Sequence, residues 1–436
     1  MSVGMLLWVI VVVAIAIVGA VYVWWKTRVK SHQPQFGTAP AIPEAVPQGA
    51  IPILKMPTAR GWELGGMPKV AAGLKVSAFA ENLKHPRWIY VLPNGDVLVA
   101  EAATLPRKIE GFMDFAMNRT MKRAGATYPS ANQITLLRDA DGDGVPETRE
   151  VFLKNQHQPF GMALIGSTLY VGNSNAVVAF PYEEGKTSIK GEGRTIFTMK
   201  DGGHWTRNLI ASEDGKKLYV AIGSLSNIAE DGFEAEEGRA CIVEIDLETG
   251  ENREFAGGLR NPVGMAWEPV DGKLWTVVNE RDGLGDETPP DYLTSVTDGG
   301  FYGWPYSYWG RTVDDRVQPQ QPDLVAKSLD PDYALGGHTA SLGLCWIEDN
   351  TLPGLPAGMV IGQHGSWNRS KLSGYKVILV PFSDGKPKGT PIDILSGFLS
   401  ADEKYSNGRP VGVTIASDGA LLVADDVGHV VWRVSA

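Results

Sequence analysis

Six times along this chain an apolar strand, a glycine-marked turn and a second apolar strand recur, and this repetition restricts the fold more than any other feature. The copies read His85-Pro86-Arg87-WIYVLPNGDVLVAE, Gln158-Pro159-FGMALIGSTLYVGN, Thr206-Arg207-Asn208-LIASEDGKKLYVAIGS, Asn261-Pro262-VGMAWEPVDGKLWTVVNE, SLGLCWIEDNTLPGLPAGMVIGQH and Gly408-Arg409-Pro410-VGVTIASDGALLVADD. Pairs such as Asn94-Gly95, Asp214-Gly215, Asp271-Gly272 and Asp418-Gly419 are the turn chemistry of tight hairpins. Hairpins repeated at long, irregular intervals predict an all-β, six-bladed propeller over residues 72–436, because each small sheet can bury its two faces only against its neighbours. A pair of β-sandwiches is the competing arrangement. With 51 Gly and 28 Pro in 436 residues turns are frequent, which argues against an all-helical fold.

The second strands of the six copies close on Glu101, Asn173, Ser224, Glu280, His364 and Asp425. Equivalent positions predict that these residues ring one mouth of the central channel. Two stretches break the pattern. Phe112, Phe115, Ala116 and Met121 fall at near-helical spacing within 105–130, which reads as a helix lying on one face of the disc. Residues 281–342 form a long insertion rich in Asp, Gly and aromatic side chains, and long loops tend to carry function.

Ahead of the repeats, the run from Val3 to Trp25 is apolar and ends in Tyr22, Trp24 and Trp25. Its length predicts a transmembrane anchor over 1–25, with the aromatics at the interface. A cleaved signal peptide is the alternative, although the run exceeds the usual apolar core of such peptides. Residues 26–71 hold seven prolines from Pro34 to Pro68 and read as an extended spacer. Lys26, Arg28 and Lys30 follow the apolar run and none precedes it, a bias that keeps the body in the cytoplasm.

A net charge of −10 without a basic block argues against nucleic acid as a partner. Two cysteines, Cys241 and Cys345, exclude a disulfide scaffold, a cysteine zinc site and covalent haem attachment, and leave their own pairing open. No Walker loop, dinucleotide fingerprint, nucleophile elbow or H-E-x-x-H occurs.

Several motifs carry chemistry. Asp139, Asp141, Asp143, Glu147 and Glu150, with Gly144 sixth in the run, have the spacing of a twelve-residue calcium loop. Strand-like flanks make this either a structural calcium turn or a bare acidic hairpin tip. His204, in Gly202-Gly203-His204-Trp205, is a candidate general base, against the commoner structural role of a lone histidine. Arg260 with Asn261, Arg369 beyond His364, and Arg409 collect cations on the mouth that the repeat defines, which suits a small ligand with several carboxylates. Inter-blade salt bridges are the competing use. The aromatic run Phe301 to Trp309 fits either sugar stacking or ordinary packing.

Taken in order, GGHWTRNLIASEDGKKLYVAIGS, GLRNPVGMAWEP, VNERDGLGDETPPDYLT, GGFYGWPY, QHGSWNRSKLSGYKV and NGRPVGV resemble the pyrroloquinoline quinone (PQQ)-dependent sugar dehydrogenases. The likeness covers roughly residues 72–436 and is greatest to the L-sorbosone dehydrogenase-like branch, related to soluble aldose and pyranose dehydrogenases. It implies a quinoprotein that works outside the cytoplasm, binds PQQ beside Ca²⁺, oxidises a sugar or sugar aldehyde and passes electrons to an acceptor at the membrane. With the anchor, which lies outside the resemblance, this reads as a membrane-tethered periplasmic enzyme, against the bias of the basic cluster. A histidine then takes the hydroxyl proton, the quinone takes hydride and Ca²⁺ polarises its carbonyl. The resemblance gives the base role to His204 and cofactor contacts to Arg260, Asn261, Arg409, Arg369 and Gln156, with His157 competing for the last. It gives Ca²⁺ the backbone oxygens of Arg281 and Asp282, apart from the Asp139, Asp141, Asp143 and Glu150 turn. Ser224 stands where soluble glucose enzymes carry an aspartate. Two other functions compete: a calcium-dependent lactonase built on Glu101, Asn173, Glu280 and Asp425, and a non-catalytic propeller that binds a glycan or partner.

Overall fold

The computed structural model describes residues 3–27, 35–46, 54–105 and 111–436. Six sheets of four to six strands form the body, and each opens on one of the six repeats. Blade I comprises Pro86–Val91, Val97–Glu101, Gln133–Arg138 and Thr148–Leu153. Blade II comprises Met162–Ile165, Thr168–Asn173, Ala176–Pro181 and Arg194–Thr198. Blade III runs Arg207–Ala211, Lys217–Ile222, Cys241–Asp246 and Asn252–Gly257, and blade IV runs Pro262–Glu268, Lys273–Val278, Pro290–Ser295 and Tyr333–Gly337. Blade V runs Ser341–Ile347, Gly358–Gln363, Lys376–Ser383 and Ile392–Ser396. Blade VI takes Pro410–Ile415, Leu421–Asp425 and Val430–Ser435 from the C-terminus and completes itself with Lys75–Ala80. The ring is thus closed by pairing its two chain ends, a non-covalent latch.

Strand alternation explains why six blades hold together. Val97 and Val99 of blade I enter the core shared with blade VI, whereas Leu98 and Ala100 enter the core shared with blade II. In blade IV, Trp275 and Val277 face blade V, and Leu274 and Val278 face blade III. Six large apolar clusters result, one for each blade interface. A period of two on a sheet buried on both faces produces this division without any continuous central core.

The innermost strands pack against one another around the axis. A β-carbon at Gly161, Gly264, Gly343 or Gly412 would strike the innermost strand of a following blade. This close backbone approach accounts for the glycine that recurs in PFGMA, PVGMA, SLGLC and PVGVT. At the opening of the innermost strand in blades I, IV, V and VI the register slips. Such irregularities re-aim side chains, here at the end of the axis where the site lies.

The described residues of the proline-rich segment do not stand clear as a spacer. Phe36–Gly37 pairs with Tyr333–Gly337 of blade IV, Lys69–Val70 extends blade V, and Thr58–Ala59 pairs with Tyr405–Ser406. Trp62 packs edge-on to Phe398 and Trp432 and donates its indole N–H to Asp425 at 2.7 Å. The first helix, α1, covers Val3–Thr27. Among the described residues no helix is long and apolar enough to cross a membrane. The expected transmembrane anchor therefore has no support from the described residues, and Arg28 and Lys30 of the basic cluster lie outside them. The expected helix in the first insertion is present as α2, Phe112–Arg123. Cys241 and Cys345 are free thiols.

Candidate active site

One cavity of about 610 Å³ opens at the axis, within the range of small-molecule sites. Opening and closing residues of paired inner strands sit side by side in the ladders, as Pro86 with Glu101, Arg207 with Ile222 and Pro410 with Asp425. The cavity wall is drawn from both sides of these junctions. His85 and Arg87 come from blade I, Thr206 from blade III, Arg260 and Asn261 from blade IV, and Arg409 from blade VI. Glu280, Asp282, His364 and Asp426 come from just beyond second strands. Above them α2 contributes Met117, Asn118 and Met121, and Trp205 and Trp367 also line the cavity.

His204 sits on the turn between blades II and III. Its backbone N–H and its Nδ1 both meet the Ser224 carbonyl, at 3.0 and 2.9 Å. A carbonyl only accepts, so Nδ1 carries the hydrogen and Nε2 keeps its lone pair. Burial, then the nearby Arg260, push the imidazole down to about 3. The ring is therefore a neutral, tautomer-fixed acceptor. Gly223 is obligatory beside it, since a β-carbon there would collide with Asn261 Oδ1 and His204 Cβ.

Asn227 ties two blades to the site. Its Oδ1 accepts from Arg260 Nη2 at 3.0 Å and from the Asp282 backbone N–H at 2.8 Å, and its Nδ2 donates to the Asp282 carbonyl at 3.1 Å. Arg260 also donates to the carbonyls of Asn227, Asn279 and Glu280. Asp282 faces His338 Nδ1 at 3.2 Å, while His338 Nε2 donates to the Gly285 carbonyl at 2.8 Å. Burial opposes charge on both, but their mutual attraction, with Arg260 added, holds Asp282 well below the carboxylate range and raises His338. Glu280 lacks such a partner, and burial pushes it up to about 7.

On the opposite wall Asp426 is the hub. It pairs with Arg87, accepts from His364 Nε2 at 2.8 Å and lies 3.5 Å from His85 Nε2. Burial opposes its charge, yet these neighbours hold it well below the usual range. Burial and then Arg409 push His364 down to about 3. Arg409 donates only to the carbonyls of His364 and Gly365, at 2.9 and 2.7 Å, and lies over the Tyr375 ring. Among the described residues it has no carboxylate partner. Buried atoms without a partner also line this cavity: Arg87 Nε, Thr206 Oγ1, Asn261 Oδ1, Glu280 Oε1 and Asp426 Oδ1.

Of the residues selected from the sequence, His204, Arg260, Asn261, Asp282 and Arg409 are brought together. Gln156 is not: its side chain bonds Asn173 and the Lys154 carbonyl, and His157 pairs with Asp201 at 2.7 Å. Arg369 is buried against Glu287 and the Gly337 carbonyl. Arg281 is buried against Asp314, and with Asn227 it saturates the Asp282 carbonyl oxygen. The second-strand residues divide in the same way. Glu280 and His364 face the cavity, but Glu101 is consumed by Lys84 N–H, Gln133 and Thr135, and Asp425 by Trp62, Trp432 and backbone N–H groups. The lactonase quartet therefore does not converge. Tyr302, Trp304 and Tyr308 are buried and pack, without lining the cavity. Asp139, Asp141 and Asp143 cluster at the blade I tip with Glu147, not Glu150, as the fourth carboxylate. Sequence reading missed His85, Arg87, His338 and Asp426, although His85-Pro86-Arg87 opens the first repeat as Arg409-Pro410 opens the last.

A six-bladed propeller whose axial cavity sets a neutral histidine among arginines is the class that fold and site define. The TrAA12-like family model matches residues 130–291 and 318–436, and the chain belongs to that family. A Borreliella burgdorferi protein of uncharacterized function is 29% identical over 306 residues, spanning 66% of this chain and 79% of its own. A PQQ-dependent sugar dehydrogenase of Hypocrea jecorina is 25% identical over 305 residues, covering 63% of this chain and 64% of the relative. A Trichoderma reesei structure of carbohydrate-active enzyme family AA12 superposes with a TM-score of 0.69 at 21% identity, over 84% of this chain and 97% of that one.

Proposed function

We propose that this chain is a PQQ-dependent dehydrogenase that oxidises a sugar or sugar aldehyde in the axial cavity. The observation that carries the reading is Arg409, a buried guanidinium lining the cavity with carbonyl partners only. A cation so placed suits an external carboxylate, and PQQ carries three. Arg87 Nε and the Thr206 hydroxyl are further buried donors without acceptors, so the donor set fits an acidic quinone. Arg409 and Arg87 would hold its carboxylates, and Arg260 and Asn261 the facing wall. When bound, PQQ supplies an ortho-quinone that accepts the hydride equivalent from the substrate carbon.

The chain's own contribution is proton management and shielding. His204 Nε2 accepts the proton of the substrate hydroxyl, and the Ser224 carbonyl on Nδ1 steadies the cation that forms. Met117, Met121, Trp205 and Trp367 keep water from the reacting face. Ca²⁺ belongs to the proposal as a Lewis acid. Glu280 Oε1 and Asn261 Oδ1 are the unpartnered oxygens that would hold it, because the Asp282 carbonyl is already saturated. The test is dye reduction by the purified chain, with and without PQQ and Ca²⁺, across aldoses, sorbosone-like aldehydes and polyols. Substrate-dependent reduction that requires PQQ and disappears in His204→Ala is expected. Lactone hydrolysis without quinone would replace this reading.

We further infer that the apolar run 3–25 tethers the propeller to a membrane, with the body outside the cytoplasm and an electron acceptor at the bilayer. The run of 23 residues without a charge supports the tether. The quinone chemistry, placed near a membrane acceptor, supports the side. A C-terminal reporter that requires export should be active, and activity solely of a cytoplasmic reporter would overturn the placement.

A further inference from the structure

We propose that Arg207 and Arg239, which do not line the cavity, are positioning residues that build and hold the turn carrying His204. The inference rests on His204 being the base of the proposed reaction. Both arginines are buried, at 0% and 5% exposure; among the described residues neither forms a salt bridge, and Asp201 acts on both, and Glu236 on Arg239, only through longer-range attraction. Their acceptors are carbonyls of the His204 turn. Arg239 Nη1 donates to the Lys200 carbonyl at 2.8 Å and Nη2 to the Gly202 carbonyl at 2.6 Å. Arg207 Nη1 donates to the His204 carbonyl at 2.6 Å and the Thr206 carbonyl at 3.0 Å, and Nη2 reaches the Lys200 carbonyl at 3.2 Å.

A buried cation that no anion contacts must be solvated by dipoles. Here the dipoles are those of residues 200–206, so the turn's conformation and the two guanidiniums specify each other. Gly202 and Gly203, at φ of +89° and +59°, allow the chain to point these carbonyls inward. Arg239 Nη2 also lies 3.4 Å from the Ser224 carbonyl, the group that orients His204 Nδ1. One planar guanidinium thus touches both the turn that bears the base and the acceptor that fixes its tautomer. A lysine could supply the charge but not this fork. Burial disfavours protonation of the imidazole most; of the charged groups facing it Arg260 and then Arg239 add to that effect, while the Ser224 carbonyl and Asp282 oppose it.

The experiment uses the full chain in two measurements: NMR titration of the His204 imidazole without added quinone, and dye-coupled kinetics with PQQ. Arg239→Lys keeps the charge and loses the fork. It should leave His204 neutral at pH 5 while lowering kcat about tenfold or more, with KM within about twofold. Arg239→Met loses both, so the same kcat loss should come with an imidazole titrating at least about one pH unit higher. Thermal melts establish that the variants are folded, and should Arg239→Met not fold, Arg239→Lys decides. Folded variants with kcat and imidazole titration within twofold of the parent would overturn the proposal. Activity surviving His204→Ala would instead remove the base assignment, and the titration would still report whether Arg239 governs the imidazole.

Discussion

Asp425 and Asp426 are neighbours in sequence with opposite employment. Asp425 is turned inward, taken up by Trp62, Trp432 and the Arg409 backbone N–H, and burial pushes it up to about 6. Asp426 faces the cavity as a carboxylate among Arg87, His364 and His85. A strand's period of two makes every such choice a matter of one residue. Reading the repeat located the junction but not which side of it turned toward the axis. Glu280, whose Oε2 accepts only the Arg281 backbone N–H among the described residues, shows what an acid without an ion pair costs there. Its folded value of about 7 exceeds the unfolded 4.5, so the folded state holds the proton between those pH values. Its cost to stability is therefore full above pH 7 and shrinks as pH falls. At about 1.4 kcal/mol per pH unit the ionised group costs roughly 3 kcal/mol. Glu280→Gln should raise the urea-unfolding free energy by roughly that amount at pH 8, and by less than about 1 kcal/mol at pH 5, in chelator. An equal gain at both pH values would refute the assignment.

At the scale of elements, the hairpins were legible because glycine turns and alternating apolar strands are local signals. All six inner pairs lie where the repeat put them, and α2 lies where the helical spacing of Phe112 to Met121 put it. The two-residue pairings of 36–37, 58–59 and 69–70 were not legible, since so short a strand owes its existence to the edge it meets. Nor were the ion pairs that consume Arg281 and Arg369, because a guanidinium's partner is a tertiary fact. The boundary at residue 72 is accordingly too late. A chain beginning at 72 loses Lys69–Val70 from blade V and Trp62 from its place against Phe398 and Trp432. Compared with one beginning at 54, it should lose upwards of about 3 kcal/mol, the scale of deleting a large packed aromatic side chain. Calorimetry of the two chains checks this, and coincident melting would show that residues 54–71 contribute nothing.

At the scale of the molecule, the propeller collects residues far apart in sequence around one axis. His85 and Asp426 are 341 positions apart and face each other because the Lys75–Ala80 strand closes the ring against Val430–Ser435. The resulting cavity has a basic wall of Arg87, Arg260 and Arg409; Asp282 and Asp426 are paired with cationic neighbours, burial raises Glu280 and Asp291, and Glu230 and Asp231 also belong to the lining. That charge arrangement is the central claim, because it makes the cavity a site for an acidic quinone. The most direct test is equilibrium titration of the full chain with PQQ in the presence of Ca²⁺. The account predicts saturable binding of one PQQ per chain, weakened about tenfold or more by Arg409→Met and unchanged by Arg311→Met, a surface arginine outside the cavity. A folded chain that binds no PQQ, or binds it equally well without the Arg409 guanidinium, would contradict it.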